Sequence, residues 1–340
     1  MMKLSNIITH LRVNRGLPDL LFREVLGNET PKVVLVRTPN EFFDELVGQY
    51  GTTLVPFGST YLLNKGLDAF IKRVNLPKTE VAQEWVQLSK SLALYSSLGA
   101  LLMSMSQVRN LVTQWRIGDQ SYAQIIGEKK ESSKTEPSKL SVSQQYKKAI
   151  VRNLLVGGVG VMASMGIGLT CAQKNTKMPQ LLKAFNQHLG LKNGDLIGME
   201  GWKAFLFWSI PSYAGYFLAA RDPYEVQELS IKYTAFLVGF FAMPFLVSPF
   251  LKKLFTQESK WFGSPENQRY LAEAFTSILA LGVLPPLLNI YLTRQRIQRE
   301  NKQQQIKKAS TPGFHPSKPT SFYRPEPSST DRDAMLFKMP

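Results

Sequence analysis

The stretch 153-NLLVGGVGVMASMGIGLTCAQ-173 contains no Asp, Glu, Lys, Arg or His. At about 1.5 Å of rise per residue, a helix of that length matches a hydrocarbon core roughly 30 Å thick. Working outward, three comparable charge-free stretches follow at 204–220, 233–251 and 274–293, and a weaker one, interrupted by five serines, precedes them at 91–108. The apolar residues are gathered into blocks instead of being spread at amphipathic intervals, which predicts an all-α, polytopic transmembrane helical bundle. Four spans are expected between 153 and 293, with 91–108 either a fifth span or an interfacial helix.

The polar remainder carries the charge. A formal excess of +16 implies an anionic neighbour, and for a membrane bundle the economical one is lipid headgroups. Nine Lys or Arg lie in 107–152 and six in 294–308, against five in 173–203 and four in 252–273. Cationic loops near spans stay on the cytoplasmic side. The basic loop and the tail are therefore placed in the cytoplasm of a bacterial plasma membrane or the matrix side of a mitochondrial inner membrane. Arg294, Arg296, Arg299, Lys302, Lys307 and Lys308 form a helical extension expected to contact anionic lipid or an acidic partner. Nothing interleaves aromatics with this basic run in the way nucleic-acid recognition requires.

The expected organisation is a mostly helical N-terminal region at 1–90, the 91–108 helix, a basic flexible loop at 109–152, the bundle at 153–293, the extension at 294–310 and a proline-rich disordered tail at 311–340. Within the first region, Leu4, Ile7, Ile8 and Leu11 share one helical face, suiting a membrane surface, a targeting segment or packing on the protein itself. Thr38, Pro39 and Glu41 read as a helix start, with an end near residues 48–51; 52–63 is too short and too interrupted by Pro56 and Gly58 to span. A further helical piece covers 67–74, and an interfacial helix 179–189.

Two features bear on packing. Gly160, Ser164, Gly168 and Ala172 recur every four residues, a spacing that admits close approach of a second helix. Prolines at 211, 244, 249, 285 and 286 each delete an intrahelical donor and predict kinks. Trp202, Tyr233, Trp261 and Tyr291 fall near span ends, where amphipathic rings anchor at the headgroup level.

Chemistry-bearing motifs are sparse. His10, His188 and His315 lie far apart, and no HExxH, GxSxG or GxxxxGK[ST] pattern occurs. Cys171 is the single cysteine, which excludes an intrachain disulfide or a CxxC couple and reads as an inert thiol in an apolar block. Arg221, Asp222, Tyr224 and Glu225 form the one compact charged cluster between spans, suited to capping a tight turn. Arg109 sits at the edge of the 91–108 helix, where its stem can reach the headgroups. No charged residue lies at the centre of any span, which disfavours an ion pathway.

Five spans with a basic loop and basic tail resemble the YidC-type insertase family in outline, although no motif of that family aligns. The leading expectation is a non-catalytic membrane scaffold or assembly subunit, without cofactor or metal, contacting lipid, a protein partner or a second copy of itself. The alternative is a carrier, channel or membrane-protein insertase that uses the proline-broken bundle.

Overall fold

The computed structural model describes residues 3–13, 21–118, 121–127, 139–191, 196 and 201–310. Among them the secondary structure is helical throughout, without a strand. Two compact units divide the chain, Met1–Leu292 and Thr293–Pro340. The described part of the second unit is helical as far as Ser310, and the tail expected at 311–340 lies outside the described residues.

In the first unit the long helices are α1 (Leu4–Val13), α2 (Pro39–Arg73), α3 (Glu80–Ile117), α4 (Lys139–Gln173), α5 (Gln180–Leu189), α6 (Ile210–Leu218), α7 (Pro223–Phe236), α8 (Met243–Leu254) and α9 (Pro265–Ile278), and α10 (Leu284–Ser310) begins there. Side-chain oxygens cap the free amides at the starts of α2, α3, α7 and α9. Thr38 accepts from the Glu41 amide at 3.0 Å, Thr79 from Ala82 at 3.2 Å, and Asp222 from Tyr224 and Glu225 at 3.0 and 2.9 Å. Gly118, at φ +80°, ends α3 in a conformation that L side chains rarely adopt.

Several expected boundaries are corrected. The Thr38 cap opens a 35-residue helix that runs through Pro56 and absorbs both 52–63 and 67–74. The 91–108 segment is the middle of α3, whose 38 residues cross both of its expected limits. Residues 139–152, expected in a flexible loop, are the first turns of α4. The tight turn expected around Arg221, Asp222, Tyr224 and Glu225 is instead a helix start, because Asp222 and Pro223 open α7 at once.

The kinks expected at proline take a specific form. π-Helical turns occupy Leu21–Glu29, Phe205–Ser209, Leu237–Ala242 and Leu279–Val283, and each ends two residues before a proline: Pro31, Pro211, Pro244 and Pro285. A proline gives its i−4 carbonyl no donor, and widening the preceding turn moves the hydrogen bonds to an i−5 register. Ile210 donates to the Phe205 carbonyl, Met243 to Val238 and Leu284 to Leu279, each five residues back. Pro56 and Pro249 lie inside α2 and α8 without such a turn. Consequently 204–220, 233–251 and 274–293 are not unbroken α-helices. Two helices are long and apolar enough to cross a bilayer, Ser143–Gln173 and Pro265–Arg299.

Helix α4 lies along α3, and the main apolar core sits beneath this pair. Phe57 and Leu67 of α2 meet Leu94, Leu98 and Leu102 of α3 and Met165 and Leu169 of α4. A second cluster joins Trp85 and Leu88 to Ala172 and Met178, with Cys171 half-buried beside it. The Trp85 indole donates to the Thr176 carbonyl at 2.7 Å and fixes the end of α4 against the start of α3. At the N-terminus, α1 docks on α9: Arg12 Nε donates to Asn267 Oδ1 at 3.0 Å, and Asn267 Nδ2 donates to Thr9 Oγ1 at 2.8 Å.

Candidate functional site

Where α2, the C-terminal part of α3 and the start of α7 converge, the interior is ionic. Asp44 is fully buried and receives a two-pronged contact from Arg221, Nη1 to Oδ1 at 3.0 Å and Nη2 to Oδ2 at 2.8 Å. Arg221 also turns back on Glu225, at 3.0 Å from Nε and 2.9 Å from Nη2. Arg109 bonds Glu225 directly, lies 3.8 Å from Asp44, and stands over the Tyr216 ring at 5.0 Å. Thr113 donates to Asp44 at 2.6 Å, and Asn110 ties the arginine to the Ala219 carbonyl.

Two further ionic groups adjoin this one. Arg37 grips Glu41 and reaches Glu228 at 3.0 Å, while the Tyr122 hydroxyl also donates to Glu228. Lys232 pairs with Glu45 at 2.5 Å.

Burial opposes each of these charges, and the partners decide the outcome. For Asp44 burial pushes upward, but Arg109 and then Arg221 reverse it and hold the carboxyl well below the usual carboxylate range. Glu225 is lowered in the same way, its burial outweighed by Arg109 and Arg221. Glu228 goes up, because burial there exceeds the help from Lys232 and Arg37.

Beside the network lies a cavity of about 80 Å³. Its polar wall includes Glu24, Asn28, Glu29 and Lys32 from the π turn and the short helix after it; Trp208, Tyr213, Tyr216 and Phe236 form much of the rest. Asn28 donates to Glu24 at 2.9 Å, and Thr53 donates to Glu29. Burial raises Glu29 to about 8, against the pull of the Thr53 hydrogen bond. Burial, followed by the repulsion of Lys232, lowers Lys32 to about 8. Among the described residues no group of His, Cys, Asp or Glu is arranged to hold a metal ion.

The residues singled out from sequence fall elsewhere. Gly160 and Gly168 face α3: a Cβ on Gly160 would come within 2.8 Å of Ser96, and one on Gly168 within 2.6 Å of Ser89 Cβ. Gly157 meets Ala100 as well, so small residues of α3 answer the glycines of α4. Ala172 is fully buried, whereas Ser164 is half-buried and donates to its own helix at the Val161 carbonyl. Trp202, Trp261 and Tyr291 are exposed; Tyr233 is half-buried, its ring 4.2 Å from that of Tyr213. In the second unit Arg294, Arg299 and Lys302 are exposed and Arg296 is half-buried, while the Lys307 and Lys308 side chains lie outside the described residues.

Two expectations need correction on physical grounds. Arg109 does not snorkel; it is buried among two carboxylates and a ring. Charge is absent from the sequence of 204–220, yet Glu29, Lys32 and Glu45 reach the wall of that segment from the N-terminal region. A signal for this was present in spacing. Glu41, Glu45, Gly48 and Thr52 recur at i, i+4, i+7 and i+11, and so do Arg221, Glu225, Glu228 and Lys232, which makes two polar helical faces of the kind that pair. No protein-family model, curated protein or solved structure matches the chain.

Proposed function

We propose that this chain is a multi-pass integral membrane protein that acts as a non-catalytic scaffold or assembly subunit. The observation that carries the reading is an inverted polarity. Charged groups occupy the interior, while Leu155, Val156, Val159, Met162 and Ile167 of α4 are more than half exposed. Only 22% of the apolar window of this helix is buried inside the protein, whereas a core helix of a water-soluble domain would be mostly covered. A contiguous apolar face of that length is matched to lipid tails.

The ionic network supports the scaffold role, since Asp44, Arg109, Arg221 and Glu225 largely satisfy one another and bind three helices into one block. The exposed Arg294, Arg299 and Lys302 suit anionic headgroups at about 1 kcal/mol each. Alkaline carbonate treatment of membranes tests the lipid placement, and release of the protein into the supernatant would end it. Vesicles containing the purified chain should keep solute and proton gradients. Sustained substrate-dependent flux would replace the scaffold with the second reading, a carrier, which the cavity and the π-broken helices around it favour.

A further inference from the structure

The cavity beside the ionic network has polar capacity that the protein does not use. Glu29 Oε2 and Asn28 Oδ1 are buried and have no hydrogen-bond partner. On the same wall lies Lys32, also buried, among the carboxylates of Glu24, Glu29 and Glu45. The other cations at this cavity are committed, Lys232 to Glu45 and Arg109 to Glu225 and Asp44. One buried cation and two unpartnered oxygens therefore line a common space.

Leaving buried polar groups unmet is costly, most of all for charged ones. The occupant must therefore both donate and accept. Size narrows the choice. About 80 Å³ exceeds several-fold the roughly 10–15 Å³ that one water needs, and falls far below the 300 Å³ or so at which drug-sized pockets begin. A lone metal cation would face the Lys32 ammonium, and a lone anion would face Glu29, so neither suits both ends.

We propose that this cavity binds a small zwitterion, an α-amino acid of about the size of glycine or alanine, with its carboxylate on Lys32 and its ammonium on Glu29 and Asn28. The rest of the wall is ring-lined, by Trp208, Tyr213, Tyr216 and Phe236, and suits a small apolar side chain. The electrostatics agree with this assignment. Burial pulls Glu29 and Lys32 toward neutrality from opposite directions, and a ligand carrying both counter-charges restores both. The site does not depend on whether the surrounding helices lie in lipid, and its test leaves that reading untouched.

The test is calorimetric titration of the full purified chain in detergent at neutral pH. Glycine and alanine are the probes, methylamine and acetate supply one charge each, and leucine tests size. Glycine and alanine should bind, and each of the other three should be weaker by about tenfold or more, as loss of one charge-assisted hydrogen bond or steric exclusion requires. Glu29→Gln and Lys32→Met should each weaken glycine by a similar factor. No heat from glycine or alanine up to about 10 mM would mean that ordered water alone fills the space, which overturns the proposal. Methylamine or acetate binding as well as glycine would overturn it too, in favour of a simple ion site. The ligand series on the unaltered protein decides the matter even where a variant fails to fold.

Discussion

Replacing Arg109 by leucine would leave Asp44 and Glu225 buried with a single arginine between them. Removing one partner from such a group costs about 3–5 kcal/mol, so Arg109→Leu should lower the thermal unfolding midpoint sharply in detergent. Arg109→Lys keeps the charge but loses the planar fork, and should recover only part of the loss. Unfolding of both variants at the wild-type temperature would show that the network contributes nothing. Glu29 supports a pH prediction of opposite character. Its carboxyl is raised to about 8, so between about pH 4.3 and 8 the folded chain holds a proton that the unfolded chain has released, and stability falls as pH rises through that window. Lys32, lowered to about 8, reverses the sign above it: the unfolded chain binds the extra proton up to about pH 10.4, and stability recovers. Glu29→Gln should therefore raise the midpoint at pH 8 by about 2 °C or more relative to the unaltered protein and change it little at pH 4. Parallel pH profiles of the two proteins would refute the assignment. The sequence showed each of these residues as an ordinary charge, because the property that distinguishes them is what a distant helix places beside them.

At the scale of elements, α4 carries its own control. Gly168 meets Ser89 of α3, whereas Gly158 and Gly166 of the same helix have nothing within 4 Å of an added Cβ. Gly168→Leu should cost about 3 kcal/mol or more by overpacking, while Gly158→Leu and Gly166→Leu should be tolerated or slightly stabilising through helix propensity. Equal loss of folded yield in all three would show that glycine content, and not the helix contact, is what α4 requires. The four-residue glycine spacing was legible in the sequence, but its partner was not. Ser96, one of the five serines that weakened the 91–108 stretch, meets Gly160 of α4, and Ser89 and Ala100 meet Gly168 and Gly157. The π turns divide in the same way. The prolines announced a break, and only the folded helix showed that the break is absorbed as a widened turn ending just ahead of each of four prolines.

For the whole molecule, the outward face of α4 makes the membrane reading measurable. Spin labels at Val156, Met162 and Ile167 in reconstituted vesicles should be reached by oxygen and shielded from a water-soluble nickel reagent, while a label at Lys147, on an exposed turn of the same helix, should show the reverse. Nickel access at all four sites would place the helix in water. Charge-free blocks identified α4 and α9–α10 as long apolar helices, yet they gave no sign of what the N-terminal region packs against. Helix α2 instead supplies Asp44 and Glu45 to the interior and Phe57 to the main core.

The sequence by itself determined the helical class, the capped start at Thr38, the apolar lengths and the places where proline interrupts. These depend on neighbours within a few residues, and local hydrogen bonding and side-chain spacing settle them. Only the tertiary structure decided that Asp44 meets Arg221 across 177 positions, that Lys232 meets Glu45 across 187, and that Glu29 and Lys32 share a cavity with the aromatics of the 204–236 region. A charge takes its meaning from the medium and the counter-charge around it, and both come from parts of the chain far away in sequence.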